Sequence, residues 1–400
     1  MAEADDAGSR RWYAVAALCV TQVVSWGSVY YAFAVVMGSV QQELGASAPV
    51  VVGAYSFALL VSGFAAAPIG RHIDRRGGRR AMAAGSLAAA LLLAAFSQVT
   101  SVAVLYATWA ALGLVMGLVL YEPAFASLAL VFSTDLRKAI TVVTLAGGFA
   151  SSVFWPLTQW LATSLGWREA ILVLALVNLV VCVPLHALFL PDGGRPGDAA
   201  RGAADDEAGR ARLLADPRFR WLAFAFTANM LAFSAMGLHL LPVLKAQGFT
   251  PERAAALAAL VGPMQVAGRV AELALSGRFS PARVGVVATL AFPVSIGVLA
   301  LGQGSVLAVV AFAALYGAGN GAMTIVRGTV PAEIWGREGY GGLNGLVATP
   351  VTLARAAGPL MGAFVLSAAG GYGAVLAVLA LAGAVSWFAF VKATGRPAGD

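Results

Sequence analysis

Five charged residues interrupt long apolar runs of this 400-residue chain: Glu122, Arg269, Glu272, Arg327 and Arg355. A charge at the centre of a membrane-spanning helix costs roughly 2.5–3.5 kcal/mol on insertion scales, so each is a functional candidate by default. Arginine presents a planar fork of donors that fits a carboxylate through two parallel hydrogen bonds. Arg269 and Arg355 are expected near mid-membrane, where their guanidinium groups can converge on an organic anion. The structural alternative pairs Arg269 with Glu272 at i+3 and turns Arg355 onto backbone carbonyls. Glu122, within Tyr121-Glu122-Pro123, is expected to be buried and to carry a coupled proton, to gate with Arg327, or to form a static salt bridge. Arg327 is its near equivalent, six residues after Gly321 where Glu122 follows Gly117 by five.

Neutral polar residues extend this set. Tyr316, Asn320, Thr324 and Arg327 fall at i, i+4, i+8 and i+11, one stripe of a helix, and Gln22, Trp26 and Tyr30 form another. Such stripes are expected to face water or ligand rather than lipid. Tyr30 and Asn320 are therefore substrate-binding candidates beside Arg269 and Arg355, and His239 is a candidate hydrogen-bonding or titrating group. A lone histidine in an apolar segment is also a common structural residue.

The elements that hold these residues follow from composition. The chain is 60% hydrophobic and 11% charged, with a mean hydropathy of +0.82. A soluble domain carries about 25% charged residues, so this is a membrane protein without a separate catalytic head. A span needs about 20 apolar residues, which leaves room for about a dozen. The net charge of +7 then speaks of orientation in the bilayer rather than of nucleic acid. Cys19 and Cys182 lie inside apolar runs, which disfavours a disulfide framework or a Cys-based metal site. No Walker-type loop, zinc-ligand pair or nucleophile elbow occurs, so neither an enzyme nor an ATP-driven pump is expected, and no cofactor or metal.

Charge-free runs at 12–42, 44–70, 81–121, 139–167, 170–191, 221–244, 284–326 and 356–391 map the spans. Three of them break at turn sequences, Gln98–Ser101, Gly302–Ser305 and Gly370–Gly373. With segments near 253–276 and 342–367 the count is twelve. If the N-terminus is cytoplasmic, 20 of the 26 Lys and Arg residues fall on the cytoplasmic side, which predicts both termini inside. The hydrophilic stretch 191–220 divides the spans six and six, giving bundles 1–190 and 219–400 joined by a cytoplasmic linker, 191–218. Arg outnumbers Lys 23 to 3 and no Asn-x-Ser/Thr sequon occurs, in keeping with a bacterial inner membrane.

The bundles echo each other. The runs 81–121 and 284–326 start 203 residues apart, and Gly113-x3-Gly117 matches Gly317-x3-Gly321 at an offset of 204. Thr144-Leu-Ala and Pro156-Leu recur as Thr352-Leu-Ala and Pro359-Leu. This predicts an all-α membrane protein of two pseudo-symmetric six-helix bundles, an architecture associated with alternating access.

Between spans 2 and 3 stands Gly70-Arg71-His72-Ile73-Asp74-Arg75-Arg76-Gly77-Gly78-Arg79-Arg80, read as a Gly-hinged turn holding an acid among cations at helix ends. Here the chain resembles the major facilitator superfamily, whose G-x3-D-R/K-x-G-R/K signature matches Gly70, Asp74, Arg75, Gly77 and Arg79. The resemblance covers the whole chain and implies a gating role for Asp74 and Arg75. The second-half loop at 276–280 lacks the acid.

Arg269 in span 8 and Arg355 in span 11 resemble the basic pair of the monocarboxylate and oxalate/formate branch, as does Gly-Ser-Val-Tyr-Tyr-Ala-Phe at 27–33. That resemblance implies a monomeric carrier of mono- or dicarboxylates in the cell membrane, a proton symporter or anion exchanger. Gln265 replaces the branch's span 8 Asp, and span 1 offers Ala32-Phe33-Ala34-Val35-Val36 in place of its Lys, so proton coupling does not carry over through those positions. The competing reading is an exporter of neutral or amphipathic metabolites or drugs. Against it, Trp109 and Trp155-Pro156-Leu-Thr-Gln159 stand where drug–proton antiporters typically have an Arg and a Gly-rich turn.

Overall fold

The computed structural model describes residues 2–132, 135–190, 192, 213–275, 278–335 and 340–395. Most of the linker 191–218 lies outside the described residues. Among the described residues there is no strand, and twelve helices are long and apolar enough to cross a membrane. In the first unit, Met1–Ala200, they are α1 (Arg11–Leu44), α2 (Ala48–Arg76), α3 (Gly78–Phe96), α4 (Val102–Val131), α5 (Leu136–Leu165) and α6 (Trp167–Phe189). In the second, Arg201–Asp400, they are α7 (Pro217–Ala246), α8 (Pro251–Leu275), α9 (Pro281–Leu301), α10 (Val306–Trp335), α11 (Leu346–Ala369) and α12 (Tyr372–Thr394). Their outer faces stay apolar: Phe64, Leu188, Val287 and Leu307 are each two-thirds or more exposed, as lipid-facing side chains must be.

Local chemistry sets the helix ends. Asp216-Pro217, Thr250-Pro251 and Ser280-Pro281 each place a capping oxygen before a proline at the first helical position, and each oxygen accepts a backbone N–H, from Arg218, Arg253 and Arg283. The expected breaks are present as turns after Phe96, Leu301 and Ala369.

The helices are also broken inside the spans, which hydropathy does not reveal. Pro123 has no N–H for the Val119 carbonyl, and α4 bends at Leu120. The fully buried Gln22 of α1 answers this, its Nε2 donating to the Val119 carbonyl at 2.8 Å. Gln22 is thus committed to backbone and is not part of a ligand-facing stripe. Replacing Gln22 with Leu leaves that carbonyl unsatisfied, and the expected loss is about 1–3 kcal/mol, read as a lowered Tm in detergent.

α1 and α6 each contain a π-helical turn, Trp26–Tyr31 and Asn178–Cys182, and the two are joined where Asn178 Nδ2 donates to Ser28 Oγ at 2.8 Å. Nearby, the buried His186 ring hydrogen bonds with Ser86 Oγ at 2.8 Å and Thr21 Oγ1 at 2.9 Å, tying α6 to α3 and α1.

The repeated glycines do the same work twice. A Cβ on Gly113 would lie 2.4 Å from the Ala58 carbonyl oxygen, and Gly117 faces Ser62. A Cβ on Gly317 would lie 2.7 Å from the Val261 carbonyl oxygen, and one on Gly321 2.0 Å from that of Gln265. The glycines therefore let α4 close on α2, and α10 on α8, backbone to backbone. Val261 and Gln265 stand 203 residues after Ala58 and Ser62, close to the offset of the glycines themselves.

The motif between α2 and α3 differs from the expected loop. Helix α2 continues through Asp74 and Arg75 to Arg76, and the chain turns at Gly77 alone, with φ of 84°. Asp74 and Arg75 are thus on the last helical turn, Asp74 partly buried and Arg75 exposed. Arg79 donates to the Ala187 carbonyl and lies 3.8 Å from Asp192, so the motif's basic end holds the end of α6.

Candidate functional site

The second unit holds the arginines. Arg269 and Glu272 lie three residues apart on one face of α8, 7% and 6% exposed, and neither is without a partner. Arg269 is six residues from the end of its helix rather than at its centre. Carrying the 203-residue offset along α8, the first unit has Ala66 and Ile69 at the equivalent positions. The repeated helix packing therefore does not require these charges.

Arg327 on α10 and Arg355 on α11 are partly buried and close enough to repel each other electrostatically. Neither forms an ion pair or hydrogen bond through its side chain with a described residue, and Arg327 Nε is shielded from solvent with no acceptor. Among the described residues, several carboxylates of this unit are set against other groups. Asp216 takes the Arg218 N–H and the Trp335 indole, both at 2.8 Å, Glu333 takes the Ala282 N–H at 3.0 Å, and Glu272 shares its face with Arg269. Pro331 and Pro359 each follow one of these arginines by four residues, so the carbonyls of Arg327 and Arg355 lack their helical N–H donors. Arg355 follows Thr352-Leu-Ala where Gly147 follows Thr144-Leu-Ala, so this charge too is confined to one unit. Two neighbouring like charges are chemically suited to share an anion.

Two expected residues are placed differently. Glu122 is exposed rather than buried, because it starts the new helical segment after the Leu120 bend, and among the described residues of its unit it has no ion pair. His239 is fully buried, and its Nε2 donates to the Pro359 carbonyl at 2.9 Å. A Cβ on Gly362 would fall 2.6 Å from that ring, so His239 serves the packing of α7 on α11.

Tyr30 lies in an aromatic cluster of the first unit that the π turn creates. Trp26 is 5.0 Å from Tyr30 and 5.0 Å from Tyr121 between ring centroids, and Tyr31 is 5.3 Å from Trp155. Gly27 makes room, since a Cβ there would fall 2.0 Å from the Phe154 ring.

Asn320 lines a narrow crevice of the second unit with Tyr316 and with Asn229 of α7. Sequence reasoning passed over Asn229, Asn178 and His186, since it weighed charges and helical stripes. A single amide or imidazole in an apolar span was the available signal.

The family described as Major Facilitator Superfamily matches residues 18–301. Monocarboxylate transporter 13 of Rattus norvegicus is 31% identical over 281 residues, 67% of this chain and 62% of that protein, so the match spans less than two thirds of the relative. The crystal structure of the nucleoside transporter NupG superposes with a TM-score of 0.75 at 13% identity, covering 97% of this chain and 99% of that one. A bacterial homolog of the human lysosomal transporter Spinster, inward-facing and unoccupied, superposes with a TM-score of 0.72 at 16% identity, covering 97% and 99%.

Proposed function

The chain belongs to the major facilitator superfamily and is a membrane transporter of twelve spans, and from that premise we propose that it carries a small organic anion, a mono- or dicarboxylate, by alternating access. The observation that supports this reading is the pair Arg327 and Arg355, two mutually repelling cations of one unit with no ion pair to a described carboxylate. The similarity to a monocarboxylate transporter supports the same substrate class. Both termini are proposed to lie in the cytoplasm of a cell with the chain in its plasma membrane, on the Lys and Arg distribution.

The reading is tested by purified protein in vesicles offered radiolabelled acetate, lactate, oxalate and succinate. Uptake of at least one above empty vesicles is expected, and uptake of none overturns it. Glu122 is proposed as the proton-carrying acid. Glu122→Gln is expected to abolish uptake driven by a proton gradient while exchange of carboxylate for carboxylate continues. Equal loss of both modes would assign Glu122 to the fold instead.

A further inference from the structure

Asn229 is 4% exposed on α7, and its side-chain amide makes no hydrogen bond with any described residue. Other small polar side chains nearby are satisfied locally: Thr227 donates to the Ala223 carbonyl at 2.7 Å, Ser234 to Leu231 at 3.2 Å and Thr289 to Gly285 at 2.8 Å. An amide without a protein partner is completed by whatever occupies the space it borders, a water or a ligand atom. The Asn229 amide borders a crevice of about 10 Å³, room for a single water-sized group. Asn320, one turn beyond Tyr316 on α10, borders the same crevice, and its amide also lacks a partner among the described residues. Phe233, Phe292 and Met323 form its apolar walls.

We propose that this crevice is a specificity subsite in which Asn229 and Asn320 hold one hydroxyl or oxo oxygen of the carried solute. An amide offers both a donor and an acceptor, so it can serve either oxygen type. With the solute seated against these apolar walls, one lacking the oxygen would leave both amides without a partner. Such a site rejects the deoxy analogue far more strongly than an apolar pocket rejects a missing methylene. The solute class is therefore a hydroxy or oxo compound. Combined with the arginine pair it is a hydroxy or oxo acid, a refinement that rests on the carboxylate reading above.

The experiment uses the full chain in vesicles with three probes: lactate, propionate, which lacks only the hydroxyl, and uridine, which is neutral and hydroxylated. The parent is expected to take up lactate with a KM about tenfold below that for propionate. Asn229→Leu is expected to raise the lactate KM about tenfold and leave propionate unchanged, with Asn320→Leu acting in the same direction. Asn229→Ser, which keeps one hydrogen-bonding oxygen, is expected to fall between and stands in if the Leu variant does not fold. Equal change for both acids, or no change, overturns the subsite. If uridine alone is carried, the carboxylate reading falls while a tenfold rise in uridine KM in Asn229→Leu upholds the subsite, and an unchanged uridine KM removes it. If the parent carries none of the three, both are overturned.

Discussion

Arg355→Gln is expected to lower kcat/KM for carboxylate uptake about 100-fold while leaving the protein at least as stable as its parent. Glutamine keeps polarity and much of the side-chain length but removes the charge. Losing one member of a close, desolvated ion pair with the substrate costs about 3 kcal/mol, and each 1.4 kcal/mol is tenfold. Stability moves the other way because Arg327 and Arg355 repel each other and neither has an ion pair with a described carboxylate. Removing one relieves that repulsion. Arg355→Lys retains the charge without the planar fork and is expected to lose about tenfold. Arg327→Gln is expected to follow Arg355→Gln in both respects. Uptake kinetics and a thermal melt on the same preparations check the pair of effects, and a variant that transports normally, or one that loses activity only by unfolding, would remove the arginines from the substrate.

The second large effect is structural. Gly321→Leu is expected to cost upward of about 3 kcal/mol and to abolish a monodisperse peak in size-exclusion chromatography. The first added carbon would sit 2.0 Å from the Gln265 carbonyl oxygen. That obstacle is backbone in the middle of α8, so it cannot rotate away as a side chain would. Gly113→Leu meets the Ala58 carbonyl oxygen at 2.4 Å and is expected to fail in the same way. Gly237, with nothing within 4 Å of its position for a Cβ, supplies the contrast, since Gly237→Ala should be neutral or slightly stabilising. Failure at Gly321 with tolerance at Gly113 would show that the two seams are not equivalent.

Span number and turn positions were legible because apolar length and Gly- or Ser-rich breaks are local properties of the chain. The glycine repeat was legible for a related reason: small residues at a fixed spacing leave an imprint in the sequence wherever two backbones must meet. The Leu120 bend and the two π turns were not, since each depends on a partner far along the chain, Gln22 for the Val119 carbonyl and Asn178 for Ser28. For the same reason the partner of His239 was not legible, because its Pro359 acceptor lies 120 residues away. Glu122 was expected inside because its neighbours are apolar, whereas a proline one residue later opens the helix at that point. Charge singled out the arginines as candidates, but which of them stand together depends on how α10 and α11 are packed.

The glycine seam is present in both halves of the chain, while Arg269, Arg327 and Arg355 are present in one. A gene that doubled itself would have inherited the seam twice and been free to edit the rest of either copy. The helix seams therefore do not depend on the charged positions, and if the arginines hold the cargo as proposed, a shift in cargo would need edits to only one of the two copies.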